Sequence, residues 1–164
     1  MRRIVAGEPD GGGSRVISAT TVGAERGPSI FRLGGGLPEA KLEAIPDELS
    51  SSDLVAVHLW ESLGPELAKV GVDAAEGVAE YVFVPEHEGL FWRYHVWGPG
   101  FSSAAHTTET LDLMFVISGE VTLILDREDV LLKSGDALVL QAASHGWRAG
   151  DEGCTFIHLM RRLS

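Results

Sequence analysis

His106 and Asp112 stand six residues apart between two glycines, in the pattern G-x5-H-x-T-x3-D-x6-G that runs from Gly100 to Gly119. Side chains an even number of residues apart share a face of extended backbone. His106, Thr108 and Asp112 are therefore expected on one side of a strand. His145 follows a Gly135-Asp136 turn and adds a second imidazole. Two histidines and a carboxylate can hold a divalent metal such as Fe, Mn, Ni or Zn and leave positions open for substrate, oxygen or water. The Thr108 hydroxyl is a poor ligand, but it can hold a water or a substrate oxygen. The alternative is a metal-free polar pocket in which His106 and Asp112 bond to each other.

A second alternation precedes this motif. Arg93, His95 and Trp97 interleave with Trp92, Tyr94 and Val96. If the first set faces inward, Arg93 is suited to orienting a substrate, and His95 and Trp97 to binding an anionic aromatic or carboxylate ligand. If it faces outward, it serves a sheet interface. Trp147 shares parity with His145 and walls the same space or packs the core. His158, between Phe156 and Met160, reads as a core histidine, with a spare ligand as the less favoured alternative, and Glu109 and Glu120 as solvated turn residues. His58 and His87 have no evident partner. Covalent catalysis has no support, because there is no G-x-S-x-G elbow and no Cys–His arrangement.

These residues need rigid strands to position them. The dense part of the chain predicts strands at 81–85, 91–97, 112–118, 121–126, 130–132, 137–141, 146–149 and 155–160, rich in Val, Leu, Ile, Phe and Trp. Gly-Pro-Gly at 98–100, Gly119-Glu120, Ser134-Gly135-Asp136 and 150–153 separate them. Upstream, 2–6 and 15–21 predict a hairpin, 38–44 a short helical stretch ended by Pro46, 54–60 a strand, and 64–77 a partly helical connection. Many short strands at this spacing imply an all-β sandwich or barrel. One structural domain is expected, with 1–80 supplying N-terminal strands that pack on a core formed by 81–164.

The two spaced motifs resemble those of the cupin superfamily, in particular single-domain bacterial cupins of the conserved-barrel (cupin 2) type. Gly100, His106 and Gly119 match the first motif, while Thr108 replaces its second histidine and Asp112 its glutamate. In the second motif Gly135 and Asp136 match and His145 falls one residue early. Gln141, Ala143 and Ala149 replace a proline, a glycine and an asparagine. The resemblance covers 91–160. It implies a cupin-type β-barrel or jelly roll with an N-terminal strand extension. It implies a small-molecule ligand and, with a metal on His106, Asp112 and His145, oxygenase, lyase or isomerase chemistry. Without a metal it implies a ligand-binding or structural role.

Composition narrows the partners. The 164 residues suit one domain, and 45% hydrophobic content supports a core. Thirteen basic against 24 acidic residues give a net charge of −11 and no basic stripe, which argues against nucleic acid and anionic membranes. Cys154 is the single cysteine, so no internal disulfide forms and a cytoplasmic location is expected. The N-terminus has two arginines but no apolar run of the signal-peptide kind. Exposed strand edges invite pairing, so a homodimer is expected.

Overall fold

The computed structural model describes residues 1–8, 12–24, 27–34, 37–62, 72–76 and 78–163, with 37–39 described by backbone alone. Much of the 64–77 connection lies outside the described residues. Eleven strands form in chain order: β1 (Arg2–Gly7), β2 (Arg15–Thr21), β3 (Ile30–Gly34), β4 (Leu37–Leu42), β5 (Asp53–Ser62), β6 (Leu90–Trp97), β7 (Ser102–His106), β8 (Thr110–Leu125), β9 (Asp129–Lys133), β10 (Ala137–Gln141) and β11 (His145–Arg162). The fold is all-β, and every pairing between these strands is antiparallel. β1 and β2 form a hairpin of their own. The other nine form one hydrogen-bonded network ordered β10-β8-β11-β6-β5-β3-β4, with β7 on β11 and β9 on β8.

Four of the expected strands merge into two. The segments 112–118 and 121–126 are one strand, β8, and 146–149 and 155–160 are one strand, β11. In β8, Met114 and Val116 are buried before Gly119 and Val121 and Leu123 after it. The buried positions thus change from even to odd, which an unbroken pleat cannot do. In β11 the buried set changes likewise, from Ala149 to Cys154 and Phe156. The register explains the switch. Gly119 pairs with Cys154 and Val121 with Ala149, so Glu120 alone stands opposite the four residues 150–153. This bulge turns both strands, and residues from either side of it meet in one core with Trp97, Phe101 and Leu132.

Two expectations upstream are corrected. Residues 38–44 are not helical: Leu37–Leu42 is strand β4, paired to β3 through Ile30↔Leu42 and Phe31↔Lys41. Ladder bonds and the packing of Leu42 against Ile30, Val55 and Val57 outweigh the modest helix propensity of PEAKL. Residues 81–85 are not a strand. They run as irregular chain, and Tyr81, Phe83 and Val84 lie over a cavity instead of joining the sheet. β3 and β7 had no counterpart in the expected pattern.

The N-terminal strands hold β6 in place. β5 is covered on both faces, by Ile30, Val55, Val57 and Leu59 on one side and by Phe31, Leu33 and Ala56 on the other. The hairpin is tied down by the buried Arg3, whose guanidinium pairs with the Asp73 carboxylate and whose Nε donates to the Leu59 carbonyl. Ser18 also donates to Asp73, at 2.5 Å. Burial alone would raise the Asp73 carboxyl, but the Arg3 and Ser18 hydrogen bonds outweigh it and hold it low.

Candidate functional site

A cavity of about 280 Å³ lies between the inner faces of the bent strands. The alternation on β6 resolves inward for Arg93, His95 and Trp97, all buried, and leaves Trp92 exposed. All three line the cavity, together with His106, Thr108, Asp112, His145 and Trp147. Every site residue expected from the sequence therefore reaches one space. The route differs from the parity argument. His106 ends β7 and Asp112 belongs to β8, with a turn at 107–109 between them, so no single strand carries both. The pairing of His106 with His145 across β7 and β11 brings those rings together, with centroids 4.4 Å apart.

The two rings are locked alike. His106 Nδ1–H donates to the Ala104 carbonyl at 3.0 Å, and His145 Nδ1–H to the Ala143 carbonyl at 2.8 Å. A carbonyl only accepts, so each neutral ring keeps its lone pair on Nε2. Burial lowers the His145 pKa and favours that neutral form, although its backbone bond to Ala143 opposes the shift. His106 is exposed, so this end of the cavity meets solvent. The Asp112 Oδ1 lies 3.8 Å from His158 Nε2, beyond hydrogen-bond reach. Among the described residues no group of three or more His, Cys, Asp or Glu is placed to hold a metal ion. The expected set of His106, Asp112 and His145 is thus a pair of imidazoles plus a carboxylate turned to a third histidine. These residues do not fit a complete metal centre. Thr108 lies beside them, its Oγ1 2.8 Å from that of Thr110.

His158 also belongs to the cavity, whereas the sequence favoured a core role for it. It lines the cavity, lies 3.8 Å from Asp112 and sits 5.7 Å, ring to ring, from His95. Its parity with Phe156 and Met160 was visible, but the identity of its cross-strand neighbour was not. His58 also acquires partners. It packs among Phe31, Tyr81 and Phe91 and meets Glu61 at 3.3 Å, away from the cavity. Glu109 is exposed and pairs with Arg162 at 2.9 Å. Cys154 is core, and burial pushes its thiol up to about 12, which excludes a thiolate nucleophile.

The cavity wall is unusual in its polar atoms. Arg93 Nε, both ring nitrogens of His95, Trp97 Nε1, Ser103 Oγ and Asp112 Oδ1 are buried without a hydrogen-bond partner, and all belong to residues lining this space. Each such atom costs about 1–3 kcal/mol when nothing pairs with it. The surrounding surface is apolar, from Leu54, Phe101, Met114, Leu138 and Phe156 among others. His95 stacks on Phe156 at 5.0 Å with an interplanar angle of 12°.

No protein-family profile matches the chain. A stretch of 51 residues is 43% identical to Phomopsin biosynthesis cluster protein C' and to Phomopsin biosynthesis cluster protein D, both of Diaporthe leptostromiformis. The match spans 30% of this chain and 27% of either relative. Among solved structures, an RmlC-like cupin from Shewanella frigidimarina is similar over 48% of this chain and 69% of its own, with 18% identity and a TM-score of 0.41. A cupin superfamily protein from Desulfitobacterium hafniense is similar over 45% and 68%, with 16% identity and a TM-score of 0.42.

The buried histidine gives a pH signature. Burial pushes His95 well below the ordinary histidine value of 6.5, and His158 and Arg93 push the same way. A depressed histidine stabilises the fold fully above its unfolded pKa, and that contribution is lost as pH falls through 6.5 toward the folded value. The melting temperature should therefore drop as pH is lowered below 6.5. His95→Phe, which keeps the stack on Phe156 without a proton to gain, should flatten the drop. Thermal melts across this range check it, and an unchanged slope in the variant would assign the acid sensitivity to other groups.

Proposed function

We propose that this chain is a small-molecule-binding protein of the cupin type, with its ligand in the cavity between the bent strands. The supporting observation is the concentration of unpartnered buried polar atoms on an otherwise apolar wall of about 280 Å³. Ligand sites combine an apolar lining with a few convergent polar groups, and a ligand would satisfy atoms that the fold leaves unpaired. The cupin assignment is supported by the Gly100–Gly119 motif. Gly100 lies in the turn before β7, His106 ends β7 at the cavity, and Gly119 lies in the β8 bend. Trans-cinnamate or cinnamamide should bind one-to-one by isothermal titration calorimetry. Leu138→Trp, which fills the space from β10, should abolish the binding. If neither compound binds the wild-type protein, or if Leu138→Trp leaves binding intact, the cavity is not the site.

A second reading, a metal-assisted enzyme, is favoured by one observation: the matched Nδ1 locks on His106 and His145. Such bonds orient imidazoles for metal binding through the other nitrogen. His106 and His145 would hold the ion, which would supply Lewis-acid or oxygen chemistry, with Thr108 and Arg93 positioning substrate. Two imidazoles bind weakly compared with three, so Thr108→His should raise zinc affinity at least tenfold. Equilibrium dialysis against zinc, with metal analysis of both proteins, gives the comparison. No gain in Thr108→His would mean that these positions do not share a metal centre.

We also propose a homodimer formed through the outer face of β10, β8, β11 and β6. Val139, Leu113, Leu159 and Trp92 stand in register across the four strands, and Ala137, Phe115, Ile157 and Tyr94 form the next row. Leu113, Phe115, Ile117, Val139 and Trp92 are 39–61% exposed. Neither row contains an acidic residue, although the chain carries a net charge of −11. The bare apolar surface is on the order of 500 Å². With a polar rim in the usual proportion it approaches the roughly 800 Å² per partner of a stable dimer. Light scattering should give twice the chain mass for the wild type and the chain mass for Phe115→Glu. A wild-type monomer at micromolar concentration would remove the interface.

A further inference from the structure

Arg93 gives the cavity a preference that its apolar lining does not. It is 3% exposed. One Nη donates to the Val82 carbonyl at 2.6 Å, and the guanidinium carbon lies 4.4 Å from the Tyr81 ring centre and 3.9 Å from that of Phe91. The rings and the carbonyl hold the group in place without neutralising it. Among the described residues no carboxylate lies within ion-pair distance of Arg93, and Glu61, whose charge reaches it, is turned to His58 at 3.3 Å. Its Nε is buried and has no acceptor, and the residue lines the cavity. An uncompensated buried cation is expensive, and an anion brought to it gains a charge-assisted hydrogen bond in a low-dielectric setting.

The remaining unpaired atoms limit the anion. Arg93, His95 and Trp97 occupy alternate inward positions on β6, a row of about 13 Å. Nε of Arg93 and Nε1 of Trp97 only donate. His95, kept neutral by burial, donates once and accepts once. The far end of the row, at Trp97, is walled by Phe101, Trp147 and Phe156, with Trp97 ring contacts of 5.0, 5.9 and 4.8 Å. The β6 row therefore offers a single cation at one end and flat aromatic surface at the other, and the Asp112 carboxylate, which also lines the cavity, disfavours a second negative charge. A dicarboxylate would bury its second charge among rings, and a phosphate dianion would meet one cation where it needs more.

We propose that the ligand is a monocarboxylic acid with a flat, apolar body, its carboxylate on Arg93 Nε and its body lying along His95 toward Trp97 and Trp147. This inference rests on the cavity being the ligand site, and its test separates the two. Affinities of trans-cinnamate and phenylacetate are measured by calorimetry beside those of their primary amides, which match them in shape and lack the charge. Each acid should bind the wild-type protein at least tenfold more tightly than its amide. In Arg93→Met, which preserves most of the side-chain volume, the acid-to-amide ratio should fall to about one. Equal affinities in the wild type, or tighter binding of the amides, would overturn the acid class and leave the cavity as the site. Binding by none of the four compounds would overturn both. A ratio that survives in Arg93→Met would overturn the role of Arg93. The wild-type ratio decides the acid class even if that variant does not fold.

Discussion

The close contact between Gly119 and Gly153 is the constraint on which the site depends. Both glycines have positive φ, 70° and 77°. A Cβ on Gly119 would stand 2.1 Å from the Gly153 carbonyl oxygen, and one on Gly153 would stand 2.3 Å from that of Trp97. Only residues without side chains allow β8, β11 and the end of β6 to approach this closely. The approach lets four residues of β11 pass opposite one residue of β8, and this bulge exchanges the inward and outward faces of both strands. Met114 and Val116 then face Val121 and Leu132 across a shared interior, and the cavity lies in the part of that interior that side chains do not fill.

A cavity bounded in this way receives polar residues at a cost to stability. β6 directs a guanidinium, an imidazole and an indole N–H inward, where a strand chosen for stability alone would carry aliphatic side chains. Part of the cost is offset locally, through the Tyr81 and Phe91 rings on Arg93 and the Phe156 stack on His95. The unpaired hydrogen-bonding atoms are not offset within the fold. Proteins retain such local conflicts mainly at functional positions. The irregular chain at 81–84 belongs to the same arrangement, since its aromatic side chains and the Val82 carbonyl hold Arg93 in its inward position.

The N-terminal half contributes by burying what would otherwise be the exposed side of β6. β5 lies next to β6 and is itself covered on both faces, with β3 and β4 beyond it. Tyr94 and Val96, the outward residues of β6, pack into the same cluster as Ile30, Val55 and Val57. The Arg3–Asp73 ion pair ties the hairpin to the chain that follows β5. Among the described residues the outer face is left uncovered from β6 toward β10, which is where the apolar rows lie.

The sequence by itself determined the all-β class, the N-terminal hairpin, the strand segments from 90 onward except β7, and the grouping of Arg93, His95 and Trp97 on one face. Each of these follows from local physics: a period of two, turn residues at the boundaries, and β-branched or aromatic residues between them. The tertiary structure decided which face is inside, because alternation is symmetric until one side is covered. It decided that 38–44 pairs as a strand and that 81–84 does not, because ladder bonds depend on a neighbouring strand that local propensity does not contain. It joined the segments flanking Gly119 and Gly153 into single bent strands, a consequence of a backbone approach between residues 34 positions apart. It also placed His145 against His106 and His158 against Asp112. The register between β7, β8 and β11 sets those partnerships, and register is a property of the folded sheet, not of any one strand.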